Sequence, residues 1–358
     1  MLFAPRSALP QRSYSSGRRC TKRLCPVPKG RNYQTAQKPL GRGEGVLSAD
    51  LQLKGKKAIV TGGSAGIGLG IARTLAAEGV EVTIPGRNLK KLNEAIASLQ
   101  GIARGIEADL ATLEGAKELI KEVPATDILV NNLGIYESKN FADIIDEEWL
   151  RYFEVNLLGG IRLARHYFPA MLKQNSGRVI FVSSEAGAET HPDMIHYGVT
   201  KTGQLAVSRG LAEMTKGTRV TVNSILPGPT RSEANVGFVQ GLSSTPNATL
   251  EQAEKEFFKK YRPTSLLQRM AEESEVGSLV AYLASPLAAA TNGAAIRCEG
   301  GILRALFLIS CFVATNLKDV TGLCRNRKSQ RFCSARDAIG LSSSARQSLA
   351  NGKSRLGS

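Results

Sequence analysis

KAIVTGGSAGIGLGIARTLAAEG, residues 57–79, carries a change of pattern in 23 residues. KAIVT (57–61) is a short β-branched run, TGGSAGIG (61–68) is a glycine-rich turn, and IGLGIARTLAAEG has helical period. A strand that passes through glycines into a helix is the opening unit of a nucleotide-binding α/β sheet. Gly62, Gly66 and Gly68 have definite uses in such a turn. They permit the tight bend, let the backbone approach a pyrophosphate, and let the helix pack close to the sheet. The helix N-terminus adds free N–H groups and the positive end of its dipole. The spacing is G-x-x-x-G-x-G, not G-x-G-x-x-G, and a glycine cluster by itself also serves purely structural turns. In this strand–turn–helix setting it predicts a dinucleotide site.

The pattern repeats outward from there. VEVTI (80–84), ARGIEAD (103–109), DILVNN (127–132), RVIFVSS (178–184), RVTVNSIL (219–226) and AAIRCE (294–299) read as strands. Helical periods lie between them at 88–99, 113–123, 146–174 and 196–216, with two more near 250–260 and 273–284. Apolar strands alternating with helices indicate a parallel sheet covered on both faces. The expected fold is α/β: a single doubly wound (Rossmann) domain of about seven parallel strands. The expected organisation is a basic leader, 1–48, without hydrophobic period, a catalytic body, 49–304, and a basic tail, 305–358, which is read as disordered like the leader.

The 358 residues carry a formal net charge of +16, and its location decides what it means. Of 47 basic and 31 acidic residues, twenty basic and two acidic lie in 1–43 and 304–358, which leaves 27 against 29 in between. A nucleic-acid footprint is a basic face on a folded domain, and this body has none, so no nucleic-acid partner is expected. Five of the six cysteines also lie in the ends, only Cys298 in the body, and there is no C-x-x-C pair. Neither a metal site nor a disulfide framework is expected, and a reducing compartment fits. The longest apolar run, ALFLISCFVA (305–314), is too short for a membrane span. A cytoplasmic protein is expected. The acid-free leader, with QRSYSS (11–16) resembling a matrix-protease context, offers the mitochondrial matrix as the alternative, although Pro5 and Pro10 spoil an amphipathic presequence helix.

The end of the second strand chooses the cofactor. A carboxylate there holds the ribose 2′-OH of NAD, whereas arginine accommodates the 2′-phosphate of NADP. VEVTI runs into PGRN, with Arg87 and no acid nearby, so NADP is expected in preference to NAD. The alternative for Arg87 is a solvated loop charge. Asp109 is placed to meet the adenine amino group, or equally to cap the helix that begins near Thr112.

HYGVTK (196–201) sets Tyr197 and Lys201 four residues apart, on one helix face, with Ser184 thirteen residues before the tyrosine. Together with TGGSAGIG, the Asp109-Leu110 pair, NNLG (131–134), Asn156 and PGPT (227–230), this ordered set resembles the short-chain dehydrogenase/reductase family over roughly 50–304. Leu133 departs from the alanine common there. The resemblance is nearest in kind to NADP-preferring 3-oxoacyl-thioester reductases.

The resemblance implies a hydride transfer between NADP(H) and a small-molecule carbonyl or secondary alcohol, with Tyr197 as general acid/base. Lys201 would lower the phenol pKa and hold the cofactor ribose, Ser184 would hydrogen-bond the substrate oxygen, and Asn156 would hold a relay water. The alternative for Asn156 is an ordinary buried amide. Cofactor contacts are implied for Gly62, Ser64, Gly66, Ile67, Gly68, Arg87, Asp109, Leu110, Asn132, Gly134, Tyr197, Lys201, Pro227, Gly228 and Thr230. The plain reading of PGPT is a strand-terminating turn.

Residues 231–268 resemble the family's mobile specificity lid, and Tyr136, Glu185, Met194 and Phe238 are candidate pocket residues. His191 and His196 read as polar loop residues flanking the site. A homodimer or homotetramer through helices 150–174 and 196–216 is the family expectation. The competing reading of the whole chain is a catalytically inactive NADP-binding sensor or scaffold.

Overall fold

The computed structural model describes residues 50–305. The leader, 1–48, and the tail beyond Ala305, with nearly all of the apolar run 305–314, lie outside the described residues. The chain runs β1 (Lys57–Val60), α1 (Gly66–Ala77), β2 (Glu81–Gly86), α2 (Leu89–Ala97), β3 (Ala103–Glu107), α3 (Leu113–Glu122) and β4 (Ile128–Asn131). It continues through α4 (Asp146–Phe153), α5 (Gly159–Lys173), β5 (Gly177–Val182), α6 (Ile195–Glu213) and β6 (Val220–Pro227). The last elements are α7 (Glu233–Gly241), α8 (Leu250–Tyr261), α9 (Glu273–Ala284) and β7 (Ala295–Cys298). All seven strands form one parallel sheet in the order β3-β2-β1-β4-β5-β6-β7.

Successive strand side chains point to opposite faces, and the central strands bury both. Val60, Ile180 and Val182 pack on one face against Ile71 and Leu75 of α1 and Val276 and Val280 of α9. Ile59, Val179 and Phe181 pack on the other against Leu119 of α3, Leu163 and Tyr167 of α5 and Ala212 of α6. Strand β3 departs from the expected near-continuous apolar run, because it is an edge strand and its residues are mostly exposed. The order reverses between β1 and β4, and the crevice at such a switch point, at the carboxyl ends of the strands, is where ligands bind in open α/β sheets.

Two segments differ from expectation. The helix expected over 146–174 is interrupted by a π turn, Glu154–Leu158, which accommodates one extra residue and carries Asn156. The segment 231–268 is a folded pair of helices in which α7 had no counterpart in the sequence reading. Val239, Ala253, Phe257 and Phe258 join Met270 in a separate apolar cluster. Ser232 and Thr249 cap the two helices by accepting from Asn235 N–H and Gln252 N–H. The described residues contain no helix long and apolar enough to cross a membrane.

Gly70 brings α1 against α9. A Cβ there would lie 2.5 Å from Glu273 Cβ and 2.8 Å from the Glu273 carbonyl oxygen. Backbone cannot yield cheaply, so Gly70→Ala lowers stability by about 1–3 kcal/mol through overpacking, despite a helix-propensity gain of about 1 kcal/mol. Urea unfolding checks this: the midpoint falls while the slope stays unchanged.

Candidate active site

The turn after β1 is pinned by the end of β4. Thr61 Oγ1 accepts from the backbone N–H groups of Asn132 (2.8 Å) and Leu133 (2.9 Å). Asn132 Nδ2 donates back to the Thr61 carbonyl at 2.9 Å. Gly62 and Gly66 take φ values of +65° and +55°, which other residues adopt only with strain. A Cβ on Gly68 would lie 2.2 Å from the Gly62 carbonyl oxygen and 2.5 Å from Asn132 Nδ2. Helix α1 begins with Ala65 as its N-cap and no side chain bonds its first N–H groups, whereas Asn88 and Thr112 cap α2 and α3. Uncapped amides above a floor with no Cβ atoms suit phosphate oxygens.

A cleft of about 690 Å³ opens over this floor. Gly62, Gly66, Ile67 and Gly68 line it from the turn, Asn132 and Gly134 from the end of β4, and Tyr197 and Lys201 from α6. Its size, its glycines and the free helix end fit a dinucleotide. Lys91 of α2, which the sequence reading passed over, lines it too.

Lys201 is 4% exposed, and its Nζ donates to the Val182 carbonyl at 2.8 Å. Burial lowers its pKa to about 7. Burial also pushes the Tyr197 phenol well above its usual 10, with the Ser184 hydroxyl beside it pulling the other way. The expected lowering of the phenol by the Lys201 ammonium is therefore not the governing effect in this geometry. Nζ stands 5.6 Å from the phenol ring centre, and desolvation dominates.

Asn156 is buried, and its side chain is fully engaged by protein. Oδ1 accepts from Ile135 N–H (2.7 Å), and Nδ2 donates to the Ile135 carbonyl and to Thr200 Oγ1, both at 3.0 Å. The Asn156 carbonyl accepts from Gln204 Nε2 at 2.5 Å, and Gln204 Oε1 lies 3.5 Å from Lys201 Nζ. Gln204 thus connects Asn156 to Lys201. Its place three residues after Lys201, on the same helix face, was the signal available in the sequence.

Ser184, just after β5, lines a second cavity of about 130 Å³. The hydroxyl of its neighbour Ser183 instead donates to the Lys201 carbonyl at 2.9 Å. Tyr136, Glu185, Met194 and Phe238 all line this cavity. Arg262, at the end of α8, lines it as well and faces Glu185 at 3.6 Å. Tyr197 borders both the cleft and the cavity. His191 lines the cavity, its pKa lowered first by burial and then by Arg262. His196 corrects the expectation of a polar loop residue. It sits in the first turn of α6, 1% exposed, with its ring 4.1 Å from that of Tyr152, because the start of α6 packs on α4.

Several expected cofactor residues stand apart from the cleft lining. Arg87 is exposed after β2 and lies 3.8 Å from Asp109. Asp109 accepts from Ala111 N–H, and the cap of α3 is Thr112. Leu110 is buried and borders a small separate cavity with Asn131 and Asn156. Ser64 does not line the cleft, and Pro227 and Gly228 line the second cavity instead. Thr230 is fully buried and donates its hydroxyl to the Gly228 carbonyl at 3.0 Å. Among the described residues no group of histidine, cysteine, aspartate and glutamate side chains could hold a metal ion.

A parallel sheet with a glycine-floored cleft at its switch point, and a Tyr-Lys-Ser cluster beside it, defines a dinucleotide-binding oxidoreductase architecture. The family model for short chain dehydrogenases matches residues 56–241. An oxidoreductase of Bacillus subtilis, YvaG, is 45% identical over 262 residues, covering 72% of this chain and 99% of its own. The 3-oxoacyl-[acyl-carrier-protein] reductase FabG of Aquifex aeolicus is 31% identical over 261 residues, covering 71% of this chain and 99% of its own. The L-sorbose reductase of Gluconobacter frateurii, solved with NADPH and L-sorbose, superposes with a TM-score of 0.67 at 27% identity, over 72% of this chain and all of its own. The chain belongs to the short-chain dehydrogenase/reductase family.

The buried Lys201 gives a pH signature. Its pKa is about 7 in the folded protein and near 10.5 unfolded, so between those values the unfolded chain binds more protons. Stability therefore rises with pH from about 7 towards 10, by up to roughly 1.4 kcal/mol per pH unit from this group. Denaturant titrations at pH 7, 8 and 9 should show a smaller rise for Lys201→Met than for the wild type.

Proposed function

We propose that the site reduces a small carbonyl compound to a secondary alcohol with NADPH, Tyr197 giving the proton. The observation that carries this reading is the position of Tyr197, at the junction of the dinucleotide-sized cleft and the smaller cavity that also holds Ser184. When bound, NADPH supplies the hydride. A phenol whose pKa lies well above 10 keeps its proton at neutral pH and can donate it as charge develops on a carbonyl oxygen. Behind it, Lys201 Nζ reaches Gln204 Oε1 and Gln204 Nε2 donates to the Asn156 carbonyl, contacts that position the lysine beside the phenol. Ser184 and Tyr197 would both address the substrate oxygen, where paired donors stabilise the transition state most.

NADPH is favoured over NADH by the residues that follow β2. Strand β2 ends without a carboxylate, Arg87 follows it with Asp109 3.8 Å away, and Lys91 of α2 lines the cleft. An arginine forks onto phosphate through two N–H groups. The NADPH complex of L-sorbose reductase supports the same choice.

Tyr197→Phe should abolish carbonyl reduction, by about a hundredfold or more, while NADPH fluorescence still reports binding. A variant that keeps full activity refutes the assignment of the proton donor. Arg87→Ala should raise KM for NADPH by roughly tenfold and leave KM for NADH nearly unchanged, since charge-assisted hydrogen bonds contribute about 1.5–3 kcal/mol. Equal effects on both cofactors would remove Arg87 from phosphate recognition.

A further inference from the structure

The hydroxyl of Ser184 is already engaged by its neighbours in the protein. Ser184 Oγ donates to Glu185 Oε2 at 2.7 Å and accepts from the backbone N–H of Ala186 at 3.1 Å. A serine hydroxyl has one proton. For Ser184 to donate to a carbonyl oxygen, that proton must leave Glu185, whose side chain is 8% exposed. A buried carboxylate oxygen stripped of its donor is costly.

Among the described residues no second hydrogen bond reaches Glu185 Oε2. Arg262 faces the other oxygen, Oε1, at 3.6 Å, and its Nη1 donates to the Tyr261 carbonyl at 2.9 Å. Its Nε is buried without a partner, as is Nε2 of His191 in the same cavity. The cavity therefore holds a carboxylate about to lose a donor, together with two polar nitrogens that have none. Its remaining walls are largely apolar, with Met194, Phe238, Val239 and Phe257 among them.

We infer that the cavity is built for a carbonyl compound carrying a hydroxyl on the adjacent carbon, with Glu185 as the residue that selects it. This rests on the reductase reading above. The substrate hydroxyl donates to Glu185 Oε2 as the Ser184 proton turns to the carbonyl oxygen. The hydride, with its electron pair, goes from reduced nicotinamide to the carbonyl carbon, and the Tyr197 proton goes to the oxygen. The neighbouring hydroxyl is unchanged, and the product is a vicinal diol. A plain ketone of the same size leaves Glu185 without its donor. An oxo acid sets a second carboxylate beside Glu185, while Arg262 is already neutralised by it. A site that hydrogen-bonds a substrate hydroxyl discriminates strongly against the analogue lacking it.

The test uses the full chain with NADPH and three probes of similar size: hydroxyacetone, butan-2-one and pyruvate. Wild type should show kcat/KM for hydroxyacetone at least about tenfold above either of the others, the scale of one hydrogen bond to a charged group. In Glu185→Gln the hydroxyacetone to butan-2-one ratio should fall by about tenfold, to the intrinsic ratio of the two carbonyls, with NADPH binding retained by fluorescence. In wild type alone, propane-1,2-diol should inhibit more tightly than butan-2-ol, which keeps the test alive should the variant misfold. Turnover with the same ratio in both proteins, a preference for pyruvate, or equal inhibition by the two alcohols overturns the inference while leaving the reductase reading intact. No turnover of any probe overturns both.

Discussion

The grip of Thr61 and Asn132 on each other is the constraint from which the site follows. Thr61 follows β1, Asn132 follows β4, and five hydrogen bonds between Thr61 and the segment Val130–Leu133 fix the glycine turn against the switch point of the sheet. With the turn held there, the Gly62 carbonyl and Asn132 Nδ2 leave no space for a Cβ on Gly68. Helix α1 must then start close to the sheet with its amides free, and the cleft lies where those amides point. A longer side chain at Gly68 would displace the turn, the helix start and the cleft together.

The chemistry depends on a second constraint, the burial of charge. Lys201 sits beneath the cleft with one close carbonyl partner, and a lone ammonium in such a place is expensive, so its pKa falls. The fold accepts that cost through Gln204 and the π turn that aims the Asn156 carbonyl at it. Across the cavity the Glu185–Arg262 pair ties the residue next to Ser184 to the end of α8. Helix α8 therefore meets the cavity through an ion pair as well as through apolar packing.

Much of this was legible in the sequence, for physical reasons. β-branched strands and glycine turns have short-range causes, so the seven strands and the position of the turn could be read to within a residue or two. Tyr197 and Lys201 could be paired because the helical period sets positions four apart on one face, whereas Ser184 was joined to them through the family resemblance. What the sequence hid depends on three dimensions. The π turn changes hydrogen bonding without changing the apolar period. Helix α7, EANVGFVQG, holds two glycines and few strong helix formers, and it is held by packing against α8. His196 looked polar and proved buried, because burial there is decided by α4, a helix distant in sequence. Arg262 lies 77 residues from Glu185, and nothing local announces their meeting.

The cleft and the cavity meet at Tyr197, where the proposed reaction passes hydride from nicotinamide to a carbonyl carbon. The most direct measurement uses NADPH deuterated at C4, each diastereomer separately, with the ketone the protein reduces fastest, followed by NMR of the alcohol. A fixed site predicts one deuterium at the carbinol carbon from one diastereomer and none from the other. Deuterium from both, or from neither while NADPH is bound, would contradict the account.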